Sequence, residues 1–299
     1  MAGERYLIVT ADDYGIGPET SRGILDLALA GKVTAAVLLV NSPYADQAVR
    51  AWRRAGQPME LGWHPCLTLD QPILPVNRVR TLVGADGRFW PLGRFMRRLA
   101  RGRILPVEIE AEFRAQYHRF RELTGEFPSV VNTHHHVQVF PSVGPLLYQL
   151  FDRYFPLPYM RRVRESWSTL ATVPGARAKR LFLSTLGRQD AERQVRAGFP
   201  GNDWLAGVTD PPCVADPNFV SRWIDKTRGN VIELTCHPGY LDETLIDRDC
   251  TANDPQLERR PRELDLLQTR SFSDACRRAR LVLTAPREWL KRGVTAHVA

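Results

Sequence analysis

Long apolar runs, paired cysteines and lysines are what this 299-residue sequence has least of. No stretch approaches the ~20 apolar residues that a membrane-spanning helix requires, so no spanning segment is expected. Cysteine is limited to Cys66, Cys213, Cys236, Cys250 and Cys276. An odd number, wide spacing and the lack of any C-x-x-C pair exclude a disulfide framework or a zinc knuckle and read as reduced thiols. Met1 to Arg5 shows no basic n-region and no long apolar core follows it, so no signal peptide is expected and the expected location is cytoplasmic. The 41 basic residues outnumber the 33 acidic ones by eight, and nearly all are arginine. Such a balance suits an anionic partner. Yet the arginines lie among acids, as with Arg114, Arg119 and Arg121 beside Glu110, Glu112 and Glu122. That pattern describes a solvated surface, and no nucleic-acid partner is expected. Only the run from Arg94 to Arg103 is denser, and it leaves peripheral contact with a membrane surface open.

What the sequence does have is alternation. Tyr6–Thr10 is a short β-forming apolar run, followed by Gly15, Gly17 and Pro18, which mark a loop and a helix start. Further strands are predicted at Val33–Val40, Glu60–Leu67, Ser129–Thr133, Tyr159–Arg164, Asn230–Cys236 and Arg280–Leu283. Helical patterns separate them, the longest being Glu108–Thr124 with Ile109, Phe113, Tyr117 and Phe120 on one face. Strand–helix alternation implies an α/β fold on a parallel sheet, open or closed into a barrel. There is no repeat, linker or composition break. One domain over residues 1–299 is expected, with insertions at about 70–106 and 165–216.

Four polar clusters follow four of these strands: Asp12-Asp13, His64, His134-His135-His136, and His237. In a parallel sheet or barrel the C-terminal strand ends share one face. Each cluster alone has a plainer explanation. An aspartate after a strand often caps a helix, and a single histidine is often a hydrogen-bonded core residue. Their common position is what points to a site. A carboxylate with two imidazoles is a three-ligand set that leaves room for water and substrate, as in catalytic rather than structural metal centres. Adjacent aspartates supply one ligand and one base, and His237 is available as an acid. Because side chains alternate along a strand, at most two of the three adjacent histidines should face one pocket.

These motifs resemble the YdjC-like carbohydrate deacetylases. The matching pieces are L-I-V-T-A-D-D-Y-G (Leu7–Gly15), K-V-T-A-A-V-L-L-V-N (Lys32–Asn41), L-G-W-H-P-C-L-T (Leu61–Thr68), V-N-T-H-H-H-V-Q-V-F-P (Val131–Pro141) and E-L-T-C-H-P-G-Y (Glu233–Tyr240). The resemblance implies a distorted (β/α) TIM-like barrel and hydrolysis of the N-acetyl group of an amino sugar, on an oligosaccharide or a glycolipid. It implies one divalent cation, Mg2+ or Zn2+, held by Asp13, His64 and His134. It suggests Asp12 as general base and His237 as acid or transition-state stabiliser. His136, Arg164 and Trp204 are expected to touch the substrate, Trp204 by stacking on a sugar ring. Two positions depart from the family's D-S-H-H-H-V-H pattern, where this chain has Asn132 and Gln138. The first alters hydrogen-bonding support for the histidines, and the second alters the pocket wall. Oligomeric state stays open, a homodimer included. Another metal hydrolase, an amidohydrolase or a phosphoesterase, is the competing reading. A two-metal phosphoesterase needs more carboxylates than the motifs supply.

Overall fold

The computed structural model describes residues 4–292. His297 lies outside them. In chain order the elements are β1 (Arg5–Tyr14), α1 (Pro18–Leu29), β2 (Ala35–Leu38), α2 (Ala45–Arg54), β3 (Glu60–Trp63), α3 (Leu92–Ala100), α4 (Pro106–Thr124), β4 (Val130–Val131), α5 (Gly144–Gln149) and β5 (Tyr159–Met160). Then follow α6 (Trp167–Thr172), α7 (Arg177–Arg196), β6 (Trp204–Ala206), α8 (Phe219–Lys226), β7 (Val231–Cys236), α9 (Pro255–Gln268), α10 (Arg270–Arg278), β8 (Leu281–Leu283) and α11 (Pro286–Lys291).

The strands pair in parallel in the order β5-β4-β3-β2-β1-β7-β6, with β8 joined to β1. On one edge β1 pairs with β7 from Tyr6 to Ala11. On the other it pairs first with β8 at Arg5–Leu7 and then with β2 from Thr10 onward. The sheet curls until its two end strands nearly meet. Met160 N–H donates to Pro200 O and Leu205 N–H donates to Arg164 O, each at 2.8 Å. This curled half-barrel is the distorted barrel expected from the sequence.

The period-two alternation of strands fills its lumen. Tyr6, Ile8, Ala35, Val37, Val130, Tyr159 and Val231 form an apolar floor, plugged by Trp289 of α11. One or two pleats higher the same strands present Asp12, Asn132, Arg161, Glu233 and Thr235, all buried and polar. On the outer face Trp63 meets Phe113 and Tyr117 of α4 edge-on, with centroids 6.4 and 5.8 Å apart. Pro106 starts α4, the face Ile109–Phe113–Tyr117–Phe120 is buried, and Gly125 ends the helix at φ 75°. Each such side chain, fully buried, contributes roughly 2–3 kcal/mol.

Two expectations change. The segment 165–216, expected as an insertion, contributes to the sheet itself. It supplies α6, α7 and the sheet strand β6, whose three residues are too short to show a period in the sequence. The predicted strand Ser129–Thr133 is only Val130–Val131, and the backbone then turns into a helical segment, His134–Val139. Segment 70–106 does lie outside the sheet, with Val79, Leu82, Phe89 and Phe95 anchoring it in the core.

Candidate active site

The C-terminal ends of β1, β3, β4 and β7 converge on a cavity of about 540 Å³. Asp12 and Asp13 both line it, although neighbouring strand residues normally point to opposite faces. The reason is local. Asp13 adopts φ 63°, and the β1–β2 register slips between Ala11 and Tyr14. The bulge turns the second carboxylate to the same side as the first. The same device acts after β4. His135 and His136 both have φ 56°, and all three adjacent histidines line the cavity, so the expected limit of two is wrong. Left-handed backbone at three non-glycine residues is costly, and its concentration here marks the site.

Asp13 is the centre. Its Oδ1 is 3.3 Å from His64 Nε2 and 3.0 Å from His134 Nδ1, while its Oδ2 accepts from Arg260 at 2.8 Å. Burial alone would push this carboxyl up. Arg260 and His134 override burial and hold it well below the usual carboxylate range. Asn132 fixes His64: its backbone oxygen lies 3.1 Å from Nδ1, and its Oδ1 closes on the same nitrogen. Both partners are acceptors, so Nδ1 carries the proton and Nε2 keeps its lone pair toward Asp13. Asn132 Nδ2 donates to Asp12 Oδ1 at 3.3 Å, so one amide joins a predicted ligand to the predicted base.

Asp12 is gripped from below. Arg161 donates to both of its oxygens, at 2.6 and 2.8 Å, and the Thr235 hydroxyl donates to Oδ2 at 3.1 Å. Burial raises the Asp12 carboxyl, but Arg161 outweighs it, and the net displacement is well below the ordinary value. Arg161 also donates to Glu233 at 2.7 Å, which in turn accepts from the Tyr159 hydroxyl at 3.1 Å. His237 Nε2 lies 3.9 Å from Asp12 Oδ2. Arg259 donates to its Nδ1 at 3.0 Å, which leaves the ring proton on Nε2, facing the cavity. Burial and Arg259 hold this imidazole neutral. His136 is also neutral: burial, then Arg161, pushes it down to about 3.

Asp13, His64 and His134 each offer a ligand atom within 4.8 Å of the others, and they form the one such cluster among the described residues. Ligands about 2.0–2.1 Å from a common cation lie roughly 3.0–3.4 Å apart, and the 3.3 and 3.0 Å separations match. The donor set fits a divalent cation. His136 lines the cavity as expected. Arg164 and Trp204 do not. Trp204 opens β6 at the opposite end of the strand, and Arg164 packs 5.1 Å over its ring while donating to Asp203 O. Sequence reasoning missed Arg161, Arg259, Arg260 and Lys179. Arg161 carried a usable signal, a charge at an inward strand position; the others come from helices with no distinguishing pattern.

A family model described as YdjC-like protein matches residues 6–278. The chain belongs to the YdjC-like family. It is 29% identical over 276 residues to a chitooligosaccharide deacetylase of Klebsiella pneumoniae, covering 91% of this chain and 94% of that one. A carbohydrate deacetylase of Mus musculus is 36% identical over 149 residues, half of this chain and 47% of its own length. Among solved structures, a protein of Enterococcus faecalis V583 provisionally named for cellobiose-phosphate cleavage superimposes with a TM-score of 0.75. That match is 23% identical and covers 96% of this chain and 99% of the other. It speaks for the fold.

Proposed function

We propose that this YdjC-like chain is a metal-dependent carbohydrate deacetylase that hydrolyses the N-acetyl group of an amino sugar. One observation carries the reading: a single carboxylate oxygen of Asp13 faces two imidazole nitrogens at 3.3 and 3.0 Å, beneath a cavity walled by a second carboxylate and a neutral histidine. The deacetylase names of the two relatives support the substrate class. Asp13, His64 and His134 would hold the cation, which when bound supplies Lewis acidity toward water and the amide carbonyl. Two imidazoles favour zinc or another transition metal, while the carboxylate tolerates magnesium.

The chain's own groups divide the remaining work. Asp12 is ionised, held by four hydrogen bonds from Arg161, Thr235 and Asn132 and open to the cavity, so it can take the proton of an attacking water. Its depressed basicity makes it a weak base that passes the proton on readily. His237 presents Nε2–H across from Asp12. As a neutral donor it stabilises charge developing on the amide and lies in position for the leaving amine. A two-metal phosphoesterase is disfavoured, because the described residues offer one ligand cluster.

The test is acetate release from a panel of N-acetylated sugars by chelator-treated protein, with each divalent metal added back. Turnover should return with metal, at about one ion per chain. Asp13→Ala should lose both the ion and the turnover. A metal-loaded protein that frees no acetate from any sugar in the panel would refute the proposal.

A further inference from the structure

Two basic, acid-free segments border the mouth of the cavity. The first carries α3. No carboxylate occurs between Asp86 and Glu108, a stretch that holds Arg88, Arg94, Arg97, Arg98, Arg101 and Arg103. Leu92 and Met96, one helical turn apart, line the cavity. Arg94, Arg97, Arg101 and Arg103 are exposed. Beyond the helix, Leu105 and Val107 are 47% and 66% exposed beside those arginines. The second segment opens α7. No carboxylate occurs between Glu165 and Asp190. Arg177 and Lys179 are exposed there. Phe182 lines the cavity yet is 45% exposed, and its neighbour Leu181 is 49% exposed.

Single exposed leucines are ordinary on any protein. What distinguishes this rim is the pairing of apolar side chains with arginines that, Arg88 on Asp70 apart, have no ion pair among the described residues. Elsewhere surface arginines meet acids, as in Arg114–Glu110, Arg119–Asp46 and Arg278–Asp225. Among the described residues none of the α3 arginines has an ion pair. Arg94 and Arg98 stack instead on Trp90, at 4.0 and 4.9 Å from its centre.

We propose that this rim is a docking surface for an anionic lipid bilayer. Arginines beside exposed aliphatic and aromatic side chains suit the boundary between head groups and acyl chains. An anionic leaflet attracts such a cluster strongly at short range, and salt weakens the attraction. The choice over nucleic acid rests on the aliphatic side chains, and on Trp90, the segment's large ring, being covered by two guanidinium groups instead of free to stack on a base. Because Leu92, Met96 and Phe182 of these two segments line the cavity, docking through them would bring the cavity wall to the lipid surface. The inference depends on neither the cation nor the deacetylase reading.

The experiment is co-sedimentation of the intact protein with phosphatidylcholine vesicles, with and without phosphatidylglycerol, at low and high salt. Binding is expected only to the anionic vesicles and only at low salt. The triple variant Arg97→Gln/Arg101→Gln/Arg103→Gln should lower partitioning on the order of a hundredfold. Its melting temperature and its turnover of a soluble substrate should not change. Leu105→Ser/Val107→Ser should weaken binding with the charge intact, separating insertion from simple attraction. Absence of binding to anionic vesicles, or equal partitioning of the triple variant, overturns the proposal. So does tighter binding of duplex DNA through the same arginines at the same salt.

Discussion

Replacing Arg161 by methionine tests the electrostatic logic of the lumen directly. The side chain is wholly buried and makes three short charge-assisted hydrogen bonds, two to Asp12 and one to Glu233. Methionine keeps much of the volume and removes the charge, leaving two carboxyl groups facing each other in the barrel. Removing one partner of a buried pair costs about 3–5 kcal/mol. For a chain of this size that is a fall of roughly 6–10 °C in melting temperature, at about 2 °C per kcal/mol. The pH dependence gives a sharper signature. In the wild type Asp12 titrates below its unfolded value, so its contribution is present above about pH 4 and is lost as the pH falls further. Without Arg161 the largest opposing influence is gone, only weaker partners such as Thr235 and Asn132 are left against burial, and the Asp12 carboxyl rises above its unfolded value. The variant's deficit should therefore be largest at neutral pH and shrink as the medium is acidified. Urea unfolding across pH measures this, and Arg161→Met/Glu233→Gln should recover part of the loss by removing one stranded charge. A deficit that is absent, or that stays constant with pH, refutes the argument.

Two further outcomes are expected. Asp190 is buried under the Tyr148 hydroxyl and the Gln194 amide, and burial pushes its carboxyl to about 6. Stability should therefore rise as pH falls from about 6 toward 4, by up to about 3 kcal/mol, and Asp190→Asn should abolish that rise; parallel urea midpoints for the two proteins would rule it out. Asn132→Ala removes the side-chain acceptor from His64 Nδ1, leaving the backbone oxygen alone there, and takes one donor from Asp12, so metal affinity should fall about 10–100-fold by titration calorimetry. Unchanged affinity would remove Asn132 from the account.

The site was legible in the sequence because its residues cluster at strand ends, and that position follows from topology alone. Asp12, Asp13, His64, His134, His136 and His237 all reach one cavity. What stayed hidden was geometry set by backbone conformation or by distant partners. No periodicity announces φ 56° at His135 and His136, and those angles bring the third ring to the pocket. Arg259 and Arg260 come from α9, where Arg259 meets His237, 22 residues earlier, and Arg260 meets Asp13, 247 residues earlier. Trp204 misled because an aromatic beside glycines looks exposed, whereas it opens a three-residue strand and packs under Arg164. The fold itself was carried by the long elements. The short strands β4 and β5 were expected as longer runs, while β6, an end strand paired with β7 alone, takes its place from that neighbour, and pairing of that kind leaves little trace in local sequence.

The strand that carries both aspartates joins β7 along one edge and β8 and β2 along the other. Two of these three partners are translated more than two hundred residues later. A nascent chain still on the ribosome can thus form the β1–β2–β3 layer early, but Asp12 must wait for Thr235, and Tyr6 for Val282, before either is shielded. Such distant pairings slow folding, because the intervening loop must close before any contact compensates for it. During that interval an apolar strand with a charged tip is bare, and chaperone demand should concentrate there.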